Sequence, residues 1–239
     1  MKRVKISIIL ALALSFLSTN VYAALQVIGT AKYQEQDYKL IYMEDGPFGP
    51  ITWLDYINPS TTWENQKSWA SGLGSELTIT LNEGYDDTGI NWITDWRLPE
   101  TVDGDYQSGY DGTTTGGYNI TSSEMGHLFY KELGNPGLYD TSGNPLSNDL
   151  NTGDFDHLTA SFYFSGTEYS YSTPAYGSYV WFFNFKSGNQ FYNLEFYNLA
   201  ALAVLPGEVT INPVPIPGAV WLLGSGIVGL AGLRKKFKK

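Results

Sequence analysis

Cysteine is absent from the 239 residues. No disulfide can therefore staple the fold, and no thiol can act as nucleophile, iron–sulfur ligand or thiolate zinc ligand. Histidine is nearly absent: His127 and His157 are too few and too separated for a three-ligand zinc site unless distant carboxylates join them. Each reads as an ordinary packing or solvent-facing position. Positive charge is scarce in the middle of the chain. Eight of the 14 basic residues (Lys2, Arg3, Lys5, Arg234, Lys235, Lys236, Lys238 and Lys239) lie at the two ends, which leaves six cations against 24 acids and a formal charge of −18 between them. A surface that acidic repels phosphate backbones and excludes nucleic acid as a partner. Solubility and a general attraction for cations are its plain consequences. The sequence also lacks a G-x-S-x-G elbow and a glycine-rich phosphate loop following a strand.

The charged ends frame apolar runs. Lys2, Arg3 and Lys5 precede Ile6 to Leu17, and Val21-Tyr22-Ala23 sets small residues where a signal peptidase cuts. Residues 1–23 thus read as a signal peptide, passed through the secretion translocon and cleaved between Ala23 and Ala24. At the other end Val214 to Leu233 is glycine-studded, apolar and about 20 residues long, enough to cross a bilayer. The cations Arg234, Lys235, Lys236, Lys238 and Lys239 follow it at once, and cations in that position stay cytoplasmic and stop transfer. The body between is expected outside the inner membrane, as one domain over residues 24–208 with a sizeable core, followed by a membrane tail over 209–239.

Aromatic residues are abundant: 15% of the chain, with seven Trp and 18 Tyr, of which all but Trp221 and Tyr22 lie in the body. Without disulfides, packing of these rings must hold the fold. From Leu25 to about Trp53 the pattern is short strands, closed by the turn residues Asp45-Gly46-Pro47. Thr61-x-x-Glu64 reads as a capping box opening a helix with Trp63, Lys67, Ala70 and Leu73 at helical spacing, ending near Gly72 and Gly74. Thr121-x-x-Glu124 reads as a second one, opening a helix that faces the core with Met125, Leu128, Phe129 and Leu133 and stops before Gly134-Asn135-Pro136. Long irregular stretches span Asp103–Gly117 and Asn135–Gly153. Beyond His157 the signal is strand-like: Phe162–Phe164, Tyr179–Phe185, a turn at Ser187-Gly188-Asn189, then Phe191–Phe196 as a hairpin partner. Two helices followed by a strand-rich half predict an α+β domain rather than a sandwich or a doubly wound sheet.

Asp95-Trp96-Arg97-Leu98-Pro99, coming after a tryptophan-containing helix, resembles the signature of a bacterial domain of unknown function, the Lcl C-terminal type. Ile51-Thr52-Trp53-Leu54-Asp55, Thr62-Trp63 to Leu73, and Ser123-Glu124-Met125-Gly126-His127-Leu128 are similar to that family's opening strand and two helices. Ser165 to Tyr169, Val180 to Phe185 and Ala203-Val204-Leu205-Pro206-Gly207 are similar to its terminal strands, so the likeness covers roughly residues 38–208. It implies a single C-type-lectin-like or sulfatase-modifying-factor-like domain with two short helices, short antiparallel strands and long ordered loops. Trp96 and Leu98 are expected in its core and Arg97 as a structural ion-pair partner. The family usually carries Arg before its closing Pro-Gly, and Leu205 stands there in this chain. The related sulfatase-modifying chemistry depends on cysteines that this sequence lacks.

The tail resembles a PEP-CTERM-type sorting signal of the V-P-x-P variety: Val214-Pro215-Ile216-Pro217-Gly218, a membrane stop and a basic end. The resemblance implies processing by an exosortase-type enzyme and transfer to the cell surface or extracellular matrix, with an inner-membrane intermediate. A permanent membrane anchor is the other reading of the same residues. Pro215 and Pro217 hold their segment extended at the membrane edge.

Candidate ligand contacts concentrate in the first long loop, where Tyr106, Tyr110 and Tyr118 could stack on sugar rings or peptides; Tyr169, Tyr171 and Tyr176 also lie in loop-like segments. Asp103, Asp105 and Asp111 offer oxygen donors of the kind weak extracellular calcium sites use, although Gln107 and Ser108 break the EF-hand spacing. Two functions stand at this point. One is a non-catalytic surface or matrix module binding a glycan, peptide or polymer through its loops; the other is a hydrolase of extracellular polymer using a carboxylate pair, for which no two of the 24 acids recommend themselves.

Overall fold

The structure is a computed structural model that describes residues 25–171 and 177–211. The expected signal peptide with its Ala23/Ala24 cleavage, Tyr176, the expected sorting motif at 214–218 and the basic end at 234–239 lie outside the described residues. Among the described residues no helix is long and apolar enough to cross a membrane.

The domain is mostly β-sheet with two short helices. In chain order the strands are β1 (Gln26–Tyr33), β2 (Gln36–Met43), β3 (Ile51–Thr61), β4 (Thr78–Leu81), β5 (Tyr85–Asp86), β6 (Ser108–Gly109), β7 (Gly116–Gly117), β8 (Phe162–Tyr169), β9 (Tyr179–Asn184), β10 (Asn189–Leu194), β11 (Leu199–Pro206) and β12 (Thr210–Ile211). Ten of them form one sheet in the order β4-β1-β2-β3-β11-β8-β9-β10-β7-β6, while β12 pairs with β5 apart from it. The β9–β10 hairpin predicted from the sequence is present, antiparallel from Asn189↔Asn184 to Leu194↔Tyr179. The first irregular stretch contains β6 and β7, each only two residues long.

Helix α1 (Trp63–Gly72) buries Trp63, Gln66 and Ala70 and runs on into a tighter turn over Leu73–Ser75. Its start differs from the expected capping box. Thr62 occupies the cap without a side-chain bond, and Thr61 Oγ1 instead accepts from Asn65 Nδ2 at 3.0 Å. Glu64 reaches outward to Lys67 at 3.3 Å. Helix α2 (Glu124–His127) widens into a π-helical turn over Leu128–Glu132. Its cap is Ser123, whose hydroxyl accepts from Gly126 N at 3.1 Å, rather than Thr121. Glu124 does not reach back to the cap, because its carboxylate is claimed by Arg97.

Two aromatic cores lie on the two faces of the sheet. One gathers Leu40, Leu54, Trp63, Trp96, Leu98, Phe164, Val180 and Leu205; the other gathers Ile41, Trp53, Met125, Leu128, Phe129, Tyr163, Phe183 and Val204. Neighbours such as Leu40 and Ile41, or Val204 and Leu205, take opposite cores because strand side chains alternate. Leu205 is fully buried and apolar contact surrounds it. The buried amide of Gln66 ties α1 to the irregular pairing of β3 with β11: it accepts from Asn58 at 2.6 Å and donates to Pro59 O at 2.9 Å and Leu199 O at 2.8 Å.

Candidate functional site

The segment Asp95-Trp96-Arg97-Leu98-Pro99 is internal bracing. Strands β8 and β11 pair in parallel only at Ala200↔Tyr163 and then diverge. The segment fills the gap: Arg97 and Val204 exchange both backbone bonds at 2.9 Å, and Pro99 O accepts from Ser165 Oγ and Gly166 N, each at 2.8 Å. Trp96 and Leu98 are both 2% exposed, and Trp96 Nε1 donates to Trp92 O at 3.0 Å. Arg97 meets the fully buried Glu124 through two bonds of 2.8 Å, while Glu124 also accepts Glu100 N at 2.7 Å. Burial opposes the guanidinium charge, but the Glu124 bonds and charge outweigh it, so Arg97 titrates above its ordinary value. Asp95 is exposed and accepts from Thr94 Oγ1 at 2.7 Å. A cleft of about 360 Å³ opens above Arg97 and Glu100 beside Glu64, Lys67, Ser68 and Ser71. Its charges are paired among themselves, Lys67 with Glu64 and Arg97 with Glu100.

The two long loops meet elsewhere and bring tyrosines together. Tyr110 and Tyr118 stand just past β6 and β7, with ring centroids 5.8 Å apart and planes 6° from parallel. Tyr139, from the second loop, packs against both at 5.1 and 4.9 Å. Asn119, at φ +59°, locks the junction by donating Nδ2 to Tyr110 O at 2.7 Å and Tyr139 O at 3.0 Å. That left-handed backbone is one that asparagine tolerates better than most residues. Gly117, at φ +97°, has no room for a side chain, because a Cβ would run into the Gly109 backbone across the β6–β7 pair. Tyr110 remains 45% exposed.

Asp111 and Asn119, the residues that follow Tyr110 and Tyr118 in the chain, line a cleft of about 440 Å³ together with Gly112, Thr121, Tyr130, Lys131, Asn135 and Thr141; the three rings themselves do not line it. Lys131 is exposed and has no carboxylate partner among the described residues. Asp111 is held below the usual carboxylate range by the hydroxyl and N–H of Thr113, so it stays ionised and able to accept. Burial, with the nearby Tyr139 adding to it, raises the Tyr118 phenol. Tyr130 is pushed up to about 12 by burial, and its hydroxyl donates to Gly188 O at 2.7 Å. These phenols are therefore neutral donors throughout the physiological range.

Tyr106 does not join this face. It packs between the sheet and its own loop, 4.9 Å from Phe191, 5.0 Å from Tyr192 and 6.2 Å from Trp181. Tyr169 is buried on Tyr192 with centroids 4.4 Å apart, and Tyr171 is exposed. The three aspartates considered for calcium have separate roles: Asp103 accepts from Trp181 Nε1 at 2.8 Å and Ser170 N at 3.3 Å, Asp111 caps its own turn, and Asp105 is exposed. Among the described residues no group of three or more His, Asp or Glu side chains is placed to hold a metal ion.

Each histidine has one carboxylate. The buried Asp55 accepts from the backbones of Asp156 and His157 at 2.8 and 3.1 Å and lies 3.2 Å from His157 Nδ1, fixing the loop before β8. His127 lies 3.3 Å from Glu132, both mostly buried.

Compared with models of known protein families, with curated proteins and with solved structures, the chain gives no match in any of the three. Its own geometry therefore carries the functional reading. The tyrosine cluster supplies ring surface, and the cleft reached through Asp111 and Asn119 supplies an ionised carboxylate, amide and hydroxyl groups and Lys131, the kinds of group that polar ligands with apolar faces require. Tyr139, Asn119 and Lys131 had not been singled out in the sequence. The meeting of the two loops brings Asn119 and Tyr139 together, Lys131 comes from the turn after α2, and nothing in the linear pattern signals that meeting.

Proposed function

We propose that this is an exported, non-catalytic module of the cell surface or extracellular matrix that binds a glycan or matrix polymer at the Tyr110–Tyr118–Tyr139 face. In this reading the Val214–Gly218 tail, handled by an exosortase-type enzyme, delivers it. The observation that supports the reading most is the convergence of three tyrosines from two loops beside a polar cleft. Sugar rings present both a C–H face for stacking and hydroxyls for Asp111, Asn119 and Lys131. The C-type-lectin-like fold and the Lcl-type likeness of residues 38–208 belong to the same proposal, since lectin-like folds place binding on long loops.

Two measurements test it. The intact mass of protein recovered from its own host should lack residues 1–23 and everything past about residue 217. A mass retaining Arg234–Lys239 would establish the permanent anchor instead. For binding, retention on the host's matrix polysaccharide should fall about fivefold for each of Tyr110→Ala and Tyr118→Ala, about 1 kcal/mol per ring. Tyr171→Ala, an exposed ring outside the face, should leave retention unchanged. Equal losses in all three would sink the assignment of this face.

A further inference from the structure

The same tyrosines support chemistry independent of any ligand. We propose that Tyr110 and Tyr139 form an oxidatively linkable pair, a site at which a dityrosine bond staples the two long loops in a chain without cysteine. Their ring centroids are 5.1 Å apart, within contact distance, and the Asn119 amide holds both backbones by bonding Tyr110 O and Tyr139 O. Tyr110 is 45% exposed and open to an oxidant. Both residues belong to irregular loops, so the rings can close the remaining distance without breaking a strand ladder.

Other close tyrosine pairs lack this combination: Tyr118 lies 4.9 Å from Tyr139, but it is less exposed than Tyr110 and the Asn119 amide bonds Tyr110 O and Tyr139 O, not Tyr118 O. Tyr33 and Tyr38 are buried where they meet Tyr56, and Tyr169 is buried on the sheet. Tyr169 and Tyr171 are two residues apart, so a bond between them would tie nothing together.

The step balances as follows. Each phenol loses one electron and one proton to become a phenoxyl radical. The two radicals join through the ring carbons ortho to their oxygens, and the rings regain aromaticity by moving the displaced hydrogens to the oxygens. Two electrons and two protons leave overall, and one hydrogen peroxide turned over by a haem peroxidase takes them up as two waters. An exported protein meets oxidants of this class. The proposal does not rest on glycan binding.

The test uses the full chain in detergent micelles, diluted to one chain per micelle, treated with a haem peroxidase and less than one equivalent of hydrogen peroxide. Trypsin separates the two residues, because Arg97, Lys131 and Lys186 bound the peptides 98–131 and 132–186. The expected result is blue dityrosine fluorescence in the monomer fraction, a monomer mass lower by two hydrogens, and the two peptides recovered joined. Tyr110→Phe and Tyr139→Phe keep the ring packing and should each abolish the joined peptide, whereas Tyr118→Phe should retain it. A joined product that survives in either of the first two variants, or fluorescence confined to covalent dimers, would overturn the assignment.

Discussion

Removing the Glu124 carboxylate should expose how much of the domain hangs on the Arg97 bracket. Glu124 is fully buried, and the Arg97 side chain is three-quarters buried at 25% exposure. Glu124→Ala leaves that guanidinium without its two 2.8 Å acceptors and strands Glu100 N as well. Breaking one side of a buried pair costs about 3–5 kcal/mol, and the half-exposed Glu100, 3.5 Å from Arg97 Nε, compensates only part of the remaining charge. A domain of this size loses about 2–4 °C of melting temperature per kcal/mol, so the midpoint should drop by about 6–20 °C. Urea unfolding followed by tryptophan fluorescence would give the free energy directly, with Glu124→Leu, Arg97→Leu and the double variant Arg97→Leu/Glu124→Leu forming the cycle. The double variant should recover much of the loss, since it removes both charges from the interior. If Glu124→Ala costs less than about 1 kcal/mol, the pair behaves as a surface salt bridge and the bracing argument is wrong.

The cap of α2 offers a second check: Ser123→Ala should cost about 1 kcal/mol, whereas Thr121→Ala, at the position the sequence pattern favours, should stay within about 0.5 kcal/mol in thermal unfolding. Glu132 supplies a pH test. Burial holds its carboxyl above the ordinary range, with His127 pulling the other way. The folded state therefore disfavours the ionised form, and this cost is present at neutral pH and vanishes as pH falls below the ordinary carboxylate range. Glu132→Gln should accordingly raise the denaturation midpoint at neutral pH and lose that advantage near pH 4; an advantage that instead grows on acidification would contradict the burial argument.

Strands, helices and the hairpin were legible where a period was strong. The apolar spacing of Met125, Leu128, Phe129 and Leu133 placed them together, and all four are buried. Both capping boxes misled for a physical reason. A glutamate three residues past a threonine specifies only local geometry, and a buried arginine 27 positions away outbids the backbone for that carboxylate. In α1 the cap moved one residue on to Thr62, and Glu64 turned to the surface. The tyrosine face was half legible. Tyr110 and Tyr118 follow from the composition of one loop, but their third ring comes from another loop, and Tyr106 of the same loop was drawn into the sheet by Trp181 and Phe191. Loop meetings of this kind are set by tertiary contacts such as the Asn119 amide, which no sequence period announces.

The position of β11 has a mechanical consequence. It is the last long strand before the described chain ends, yet it sits mid-sheet, bonded to β3 along one edge and to β8 and Arg97 along the other. A load pulling on the C-terminal side first meets the short β12–β5 pair, whose Tyr85 and the neighbouring Val209 pack against the first core. Past that pair the force runs along β11, against the β3 ladder on one side and the Ala200–Tyr163 and Arg97–Val204 bridges on the other. A tether on that side would thus pull along a strand held on both of its edges, while β7 and β6, which lead into the tyrosine loop, lie at the far end of the strand order.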